Sequence, residues 1–559
     1  MEKKQQKLQK QKRMDRIGIL CGLLVIVAAI FSSVMANRAP TSSVPADQIP
    51  DSAVTLTGTA PGRNGDVTVE IIADQEKIYS VKVLDQQETE GIGTEAVKQL
   101  PAAIFRAQNL NEVDAVSGAT ISSTAIKEAA ISALTSPESS AAGISPKTFG
   151  ANPVKAELLA QRADEAYVET LKQEGGGHIV VRTAANWEET YPNQYHTWKQ
   201  NDENVGQTDY LADYPMLSSL YNYYGFAFDY KAARGHAYDI EDISETARPH
   251  GAASCWTCKT PLYTAMVLEE GSAAYSKSFA DVTDTVAAEP ISCFNCHANS
   301  PLDEKGQVNL VVTHTYLIDG VGEDFDSIDA ATLSCGQCHN EYFFDPNAEN
   351  KPTTLPHNSL ESMHPDAILA YYNAPNWDGK SYADFTNPES GVRQIKVQHP
   401  ELETFLGEGS PHRNTYTCAD CHMGKSKDEN GKTFSNHYLI SPLDNEELLR
   451  NECSKCHADL KTEVRETQAQ IEARTYSIGY ELMFLNQRLA EVKDSYSADR
   501  LEEIRQLARD AQFYWDFVFV ENAEGVHNPK LTNYCLDKAE ELCNQAMAKF
   551  DPIIIEKKA

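Results

Sequence analysis

Cys255-Trp256-Thr257-Cys258-Lys259 is the pentapeptide from which the rest of the chain can be read. Two cysteines separated by two residues, with a basic residue next, form the attachment pattern of haem c, here with Lys where His is usual. The usual form, Cys-x-x-Cys-His, follows four times, at Cys293/Cys296/His297, Cys335/Cys338/His339, Cys418/Cys421/His422 and Cys453/Cys456/His457. With this composition, one such pentapeptide is expected by chance on the order of 0.01 times. The spacing has a covalent reason: two thiols about one helical turn apart reach two porphyrin vinyl groups, and the next residue swings beneath the iron as proximal ligand. Zinc knuckles and redox dithiols also use Cys-x-x-Cys, but neither needs His in the fifth position each time. The pattern therefore predicts five haem c groups, four ligated by His297, His339, His422 and His457 and one by Lys259. An amine binds iron only when deprotonated, so burial is expected to hold Lys259 neutral. Four like sites and one odd one suggest four electron carriers and one reaction centre.

The totals fit an exported redox protein. The 559 residues allow two to four domains. A formal charge of −32 argues against a nucleic-acid partner and requires a local positive pocket for any anionic substrate. Ten of the 13 cysteines belong to the motifs. Cys21 lies in an apolar run, and Cys535 and Cys543, about 12 Å apart along a helix axis, are too far apart for a disulfide and read as core.

Residues 1–16 are basic, and residues 17–36 form an uncharged apolar run whose 20 positions would span about 30 Å. A signal peptide ending at Val34-Met35-Ala36 competes with an uncleaved anchor, and the length of the run favours the anchor. Both place the body outside the cytoplasm, with the basic flank inside if the anchor is kept. Residues 37–50 read as a tether.

Residues 51–136 read as a small α+β domain. Val67, Val69 and Ile71 alternate, as do Ile78 or Tyr79, Val81 and Val83, predicting two half-buried strands. Helices are expected near Thr94–Leu110 and Ser122–Leu134, with Asp114-Ala115-Val116-Ser117-Gly118-Ala119-Thr120 ahead of the second. On its own this heptapeptide reads as a polar N-cap with a glycine turn. The whole stretch also resembles the FMN-binding domain of sodium-pumping and related membrane redox complexes. That resemblance implies FMN held by a phosphoester on Thr120, with Asp114, Ser117, Gly118 and Ala119 completing the motif. A phosphate at a helix N-terminus meets free N–H groups and a favourable dipole.

Residues 137–160 form a second linker, and residues 161–460 carry the motifs with little regular periodicity. In residues 461–559, Leu482, Leu485, Leu489 and Val492, then Leu501, Ile504 and Leu507 or Ala508, predict long antiparallel helices. Their seam could pack on the haem body or form a dimer interface. The expected architecture is a mainly α multihaem cytochrome c domain with long C-terminal helices, preceded by the α+β domain and a transmembrane helix.

The motif order, from Trp187 to His527, resembles the ammonia-forming pentahaem cytochrome c nitrite reductases. Arg234-Gly235-His236-Ala237, Cys255–Lys259, Cys335–Tyr342, Lys396-Val397-Gln398-His399-Pro400 and Gly525-Val526-His527 carry that resemblance. It implies distal ligands His236, His412, His437 and His527, although His412 stands only six residues before Cys418, closer than the family spacing. It implies an open face on the Lys259-ligated iron, with Arg234, Tyr342 and His399 around the substrate. Arg234 would draw in nitrite, His399 would give a proton near neutral pH and Tyr342 would orient intermediates. Glu341 and Gln398 side chains, with the Tyr342 and Lys396 carbonyls, match the family's calcium site, a support for the backbone around the reaction centre. Partners implied are nitrite, a membrane quinol dehydrogenase or flavin-linked complex, the bilayer, and a second copy of the chain. A pure electron-transfer protein, or a reductase acting mainly on hydroxylamine or sulfite, would share the motifs.

Overall fold

The computed structural model describes residues 41–552 apart from 51, 92, 111–112, 114–115, 117–118, 151–159, 249–250, 298, 300–301, 303–307 and 414. The chain divides into two compact units, Met1–Ala156 and Glu157–Ala559. The expected anchor at 17–36 lies outside the described residues. Among the described residues no helix is long and apolar enough to cross a membrane.

The first unit is an antiparallel meander of β1 (Val54–Pro61), β2 (Asp66–Ala73) and β3 (Ile78–Asp85), covered by α1 (Gly93–Ala107) and α2 (Thr120–Leu134). The alternation of β2 sends Val67, Val69, Ile71 and Ala73 inward, all fully buried, against Leu100, Ile104 and Ile126 of the helices. β1 is the strand that periodicity did not announce. Its inward positions are Leu56, Gly58 and Ala60, and α2 crosses so closely that a Cβ on Gly58 would lie 2.1 Å from the Ala129 carbonyl oxygen. A small residue is required there, so the apolar signal of the strand is weak.

The second unit holds short elements between long loops: α3 (Asp239–Glu245), α4 (Cys293–His297), α5 (Ala330–Gly336), α6 (Glu401–Leu406) and α7 (Cys418–His422). It closes with three long helices, α8 (Leu460–Val492), α9 (Ala498–Phe519) and α10 (Pro529–Met547). The seam is buried within the chain itself: Leu482, Leu485 and Leu489 of α8 meet Ile504 and Ala508 of α9 and Cys535, Leu536 and Cys543 of α10. The ambiguous seam position is Ala508, with Leu507 only partly buried. Tyr476, Tyr480 and Phe484 repeat every four residues along α8 and are exposed.

Candidate functional site

Each motif begins on a tight helical turn, which brings residues i, i+3 and i+4 to one face. In α7 the turn is closed by Thr417 and Asp420. The Thr417 hydroxyl accepts from the Asp420 N–H at 3.3 Å, and the Asp420 carboxylate accepts from the Thr417 N–H at 2.8 Å. Gln337, inside the third motif, ties neighbouring motifs together: its oxygen accepts from the Thr313 N–H at 2.9 Å and its amide donates to the Asn295 carbonyl at 2.9 Å.

The four motif histidines each face an imidazole from a distant part of the chain. Ring centres are 6.5 Å apart for His236 and His339, 6.4 Å for His297 and His437, 6.3 Å for His422 and His527, and 6.1 Å for His412 and His457. Two imidazoles bound to opposite sides of one metal at about 2 Å, each ring centre roughly 1.2 Å farther out, would stand about 6.4 Å apart. The nitrogens are sorted in the same way. Nδ1 meets a carbonyl or carboxylate oxygen in His297 (Asn309, 3.0 Å), His437 (Ser435, 2.9 Å), His457 (Glu463, 2.8 Å) and His527 (Glu521, 2.7 Å). Nδ1 therefore carries the hydrogen and Nε2 is left as electron-pair donor, the arrangement of a ligating histidine. Burial lowers His236 to about 3 and His297 and His422 to about 4, which keeps these rings neutral. His527 and His339 are the exceptions: burial lowers both, but the Glu521 carboxylate lifts His527 to about 9 and the Glu401 carboxylate raises His339 above its ordinary value.

None of the twelve described cysteines forms a disulfide. One sulfur cluster resembles a metal site, with ligand atoms of Cys258, His314 and Cys338 within 4.8 Å of one another. A zinc knuckle, however, gathers both cysteines of one Cys-x-x-Cys, whereas this cluster joins the second cysteines of two different motifs. Cys335 likewise hydrogen-bonds Cys418. The sulfurs thus place the first motif against the third and the third against the fourth.

Among the motif cysteines Cys456 is exposed, whereas the other nine are half-buried. The reason is position. The helical turn of the fifth motif covers only Cys453–Lys455, so Cys456 falls one residue beyond it, and no later motif packs over the end of the series. The fourth and fifth motifs meet instead at Tyr416, whose phenol is raised by burial first and then by the charges of Cys456, Glu452, Cys421 and Cys453.

The odd motif has its own surroundings. Lys259 Nζ lies 3.4 Å from Asp239 Oδ1. Burial pulls the amine down, but Asp239 and the Cys258 thiol outweigh it and leave the ammonium above its ordinary value. Burial alone therefore does not neutralise Lys259, contrary to the expectation from sequence; a neutral amine needs a competing electrophile, which a bound metal provides. The pair is asymmetric. Burial raises the Asp239 carboxyl to about 6 despite the opposing pull of Lys259, because its second oxygen is buried without a partner.

Arg234 is held, not loose. Its Nε donates to Asp242 at 2.7 Å, its Nη2 lies 2.6 Å from Asp242 and 3.3 Å from Glu241, and its guanidinium stacks 4.3 Å from the Tyr238 ring. His399 stands 6.1 Å from His339, with a buried Nδ1 that has no partner, and burial lowers it to about 4. Its ring is therefore neutral near pH 7 rather than poised there. Burial likewise raises the Tyr342 phenol.

The calcium-type oxygens also converge. The buried Glu341 carboxylate accepts from the Tyr372 hydroxyl at 2.8 Å and the Gln398 N–H at 2.6 Å, and Gln398 Nε2 donates to the Lys396 carbonyl at 2.8 Å. The Lys396 ammonium turns away, to the Val397 carbonyl at 2.6 Å and Asp516 at 3.4 Å. A carboxylate, a carboxamide and a carbonyl remain together, a donor set that suits a hard cation. In the first unit, Thr120 opens α2 behind Ala119, whose side chain makes no capping hydrogen bond. Asp114, Ser117 and Gly118 lie outside the described residues.

With this geometry in place, the family model for cytochrome c552 matches residues 183–558. The chain belongs to the cytochrome c552 family. Residues 62–135 of this cytochrome c552 match the FMN-binding domain, so the two are fused in one chain. The chain is 30% identical over 407 residues to the cytochrome c nitrite reductase subunit NrfA of Nitratidesulfovibrio vulgaris, covering 64% of this chain and 76% of the relative. Among solved structures it resembles the catalytic subunit of cytochrome c nitrite reductase from Desulfovibrio desulfuricans, which has two calcium sites. That likeness has a TM-score of 0.58 and 27% identity over 66% of this chain and 85% of the other.

Several groups around the cytochrome c552 site gave no sequence signal. Glu463 and Glu521 lie six residues from the imidazoles they hold, at no spacing that marks them. His357, without a role on sequence grounds, is fully buried between the Gly320 carbonyl (2.7 Å) and Glu403 (2.8 Å), and Glu403 also accepts from the Glu341 N–H at 3.0 Å. Asp239 is another such group.

Proposed function

We propose that this chain reduces nitrite to ammonium, with Lys259 carrying the reactive haem and His236/His339, His297/His437, His422/His527 and His412/His457 carrying four electron-transfer haems. The observation that supports this most is that four of the five motifs pair an imidazole with an imidazole, while the fifth offers an amine. Haem c would supply, when bound, the iron that takes nitrite and the path for the six electrons that an external donor provides, which with eight protons yield ammonium and two waters. The remaining work belongs to the chain. Arg234, its plane fixed by Asp242, donates hydrogen bonds to a nitrite oxygen. His399, neutral at working pH, passes protons taken up from outside, since its buried ring does not store one. Tyr342 donates through its phenol. Glu341, Gln398 and the Tyr342 and Lys396 carbonyls hold calcium and so fix the backbone that carries Tyr342 and His399.

In this reading FMN, esterified to Thr120, relays electrons from a membrane quinol dehydrogenase or flavin-linked complex. Residues 17–36 anchor the chain with its body outside the cytoplasm, and the exposed Tyr476, Tyr480 and Phe484 face of α8 joins two copies. The deciding experiment follows nitrite consumption and ammonium release with reduced viologen. Wild type is expected to convert one to the other in equal amounts, and Lys259→His to fall by about a hundredfold, the scale of a disturbed reaction geometry. Nitrite consumed without ammonium, or a fully active Lys259→His, contradicts the proposal.

A further inference from the structure

Asp239 is the first residue of α3, three positions after His236 and five after Arg234. Its residue is 5% exposed. Oδ1 accepts from Lys259 Nζ at 3.4 Å, and Oδ2 is buried with no hydrogen-bond partner among the described residues. A carboxylate at a helix start ordinarily serves the free N–H groups of the first turn, but the idle oxygen shows that this one does not. Nor does it serve Arg234, which its neighbours Glu241 and Asp242 already hold. What remains is a buried negative group aimed at the one motif residue that is not an imidazole.

The histidines show what such a group does. Nδ1 of His457 and His527 is held by Glu463 and Glu521, which leaves Nε2 oriented as the donor. Lysine has no second ring nitrogen, so a group that orients its lone pair must bond an N–H on the ligating nitrogen itself.

We propose that Asp239 is the positioning residue of the odd haem. Its carboxylate accepts a hydrogen bond from the Lys259 amine, turns the amine's lone pair to the iron, and places negative charge on the proximal side of that haem. This rests on Lys259 being the ligand, as proposed above. Negative charge beside the iron favours the ferric state, so removing it moves the one-electron equilibrium of that haem toward ferrous.

The test is a spectroelectrochemical titration of the full-length haem-loaded protein, following the high-spin signal and the low-spin signals separately in wild type, Asp239→Asn and Asp239→Glu. The wild-type spectrum comes first: without a high-spin haem the ligand reading itself fails, whatever Asp239 does. Given that signal, Asp239→Asn is expected to shift its equilibrium about tenfold toward ferrous, about 59 mV for one electron, with the bis-histidine haems unmoved. An unshifted high-spin haem overturns the inference. If Asp239→Asn disturbs the low-spin haems as well, Asp239→Glu decides: a wild-type potential at the high-spin haem supports the carboxylate, and a shifted one overturns it.

Discussion

The two units of this chain bury different things. The first closes on an apolar core, with Val67, Val69, Ile71 and Val81 of the sheet against Leu100, Ile104 and Ile126 of the helices. Among its described residues only Ser80 leaves a buried side-chain polar atom without a partner. The second buries Asp239, His314, His399 and Glu403, each with an oxygen or ring nitrogen that finds no hydrogen-bond partner among the described residues. Buried polar groups are normally paired, and an orphan costs about 1–3 kcal/mol. The described part of the first unit thus packs on apolar groups, whereas the second buries polar groups that the described residues leave unpaired. The second unit is therefore expected to depend on bound haem for its fold, and the first to fold independently of it.

The sharpest way to break this contrast is to withhold the third haem. Cys335→Ser with Cys338→Ser removes the motif whose sulfurs touch both neighbours. The haem unit is expected to lose native structure as a whole, read by protease resistance and haem content, while the FMN-binding unit keeps its own unfolding transition. A doubly substituted protein holding four haems in a native, protease-resistant unit would refute the dependence.

Within each unit a single packing change should act locally. Leu485→Ala removes a fully buried side chain from the α8 seam and is expected to cost about 2–5 kcal/mol, seen in the denaturation of the haem unit alone. Gly58→Val forces a Cβ against the Ala129 carbonyl and is expected to cost about 1–3 kcal/mol or more in the first unit alone. Transitions that moved together in either variant would show the units to be coupled in folding.

The smallest effect concerns pH. Burial depresses His399 to about 4, so between its unfolded value near 6.5 and that value the unfolded chain takes a proton that the folded chain refuses. Its contribution to stability is complete above about pH 6.5 and is lost as pH falls toward 4. The stability of wild type relative to His399→Gln should therefore decline over that window and stay level above it. A difference that is flat from pH 7 to 4 contradicts the depressed value.

Legibility in the sequence followed the same divide. Strands β2 and β3 and both helices of the first unit were readable because alternation and helical period survive where apolar side chains do the packing. β1 was not, because close approach of α2 replaced bulky residues by Gly58 and Ala60. In the haem unit the motifs named the attachment points, but their spacing is the same whether a thiol is enclosed or, like Cys456, left at the surface. Glu463, Glu521 and Asp239 were invisible. Acidic residues are common in this chain, and only the fold shows which of them face a motif side chain. The clamp of Asp242 and Glu241 on Arg234 was equally invisible.

Near-infrared magnetic circular dichroism and electron paramagnetic resonance of the oxidised, haem-loaded protein, with and without nitrite, test the central claim directly. The account predicts four low-spin bis-histidine irons that ignore nitrite and one high-spin iron that nitrite perturbs. Five low-spin irons, none altered by nitrite, would contradict it.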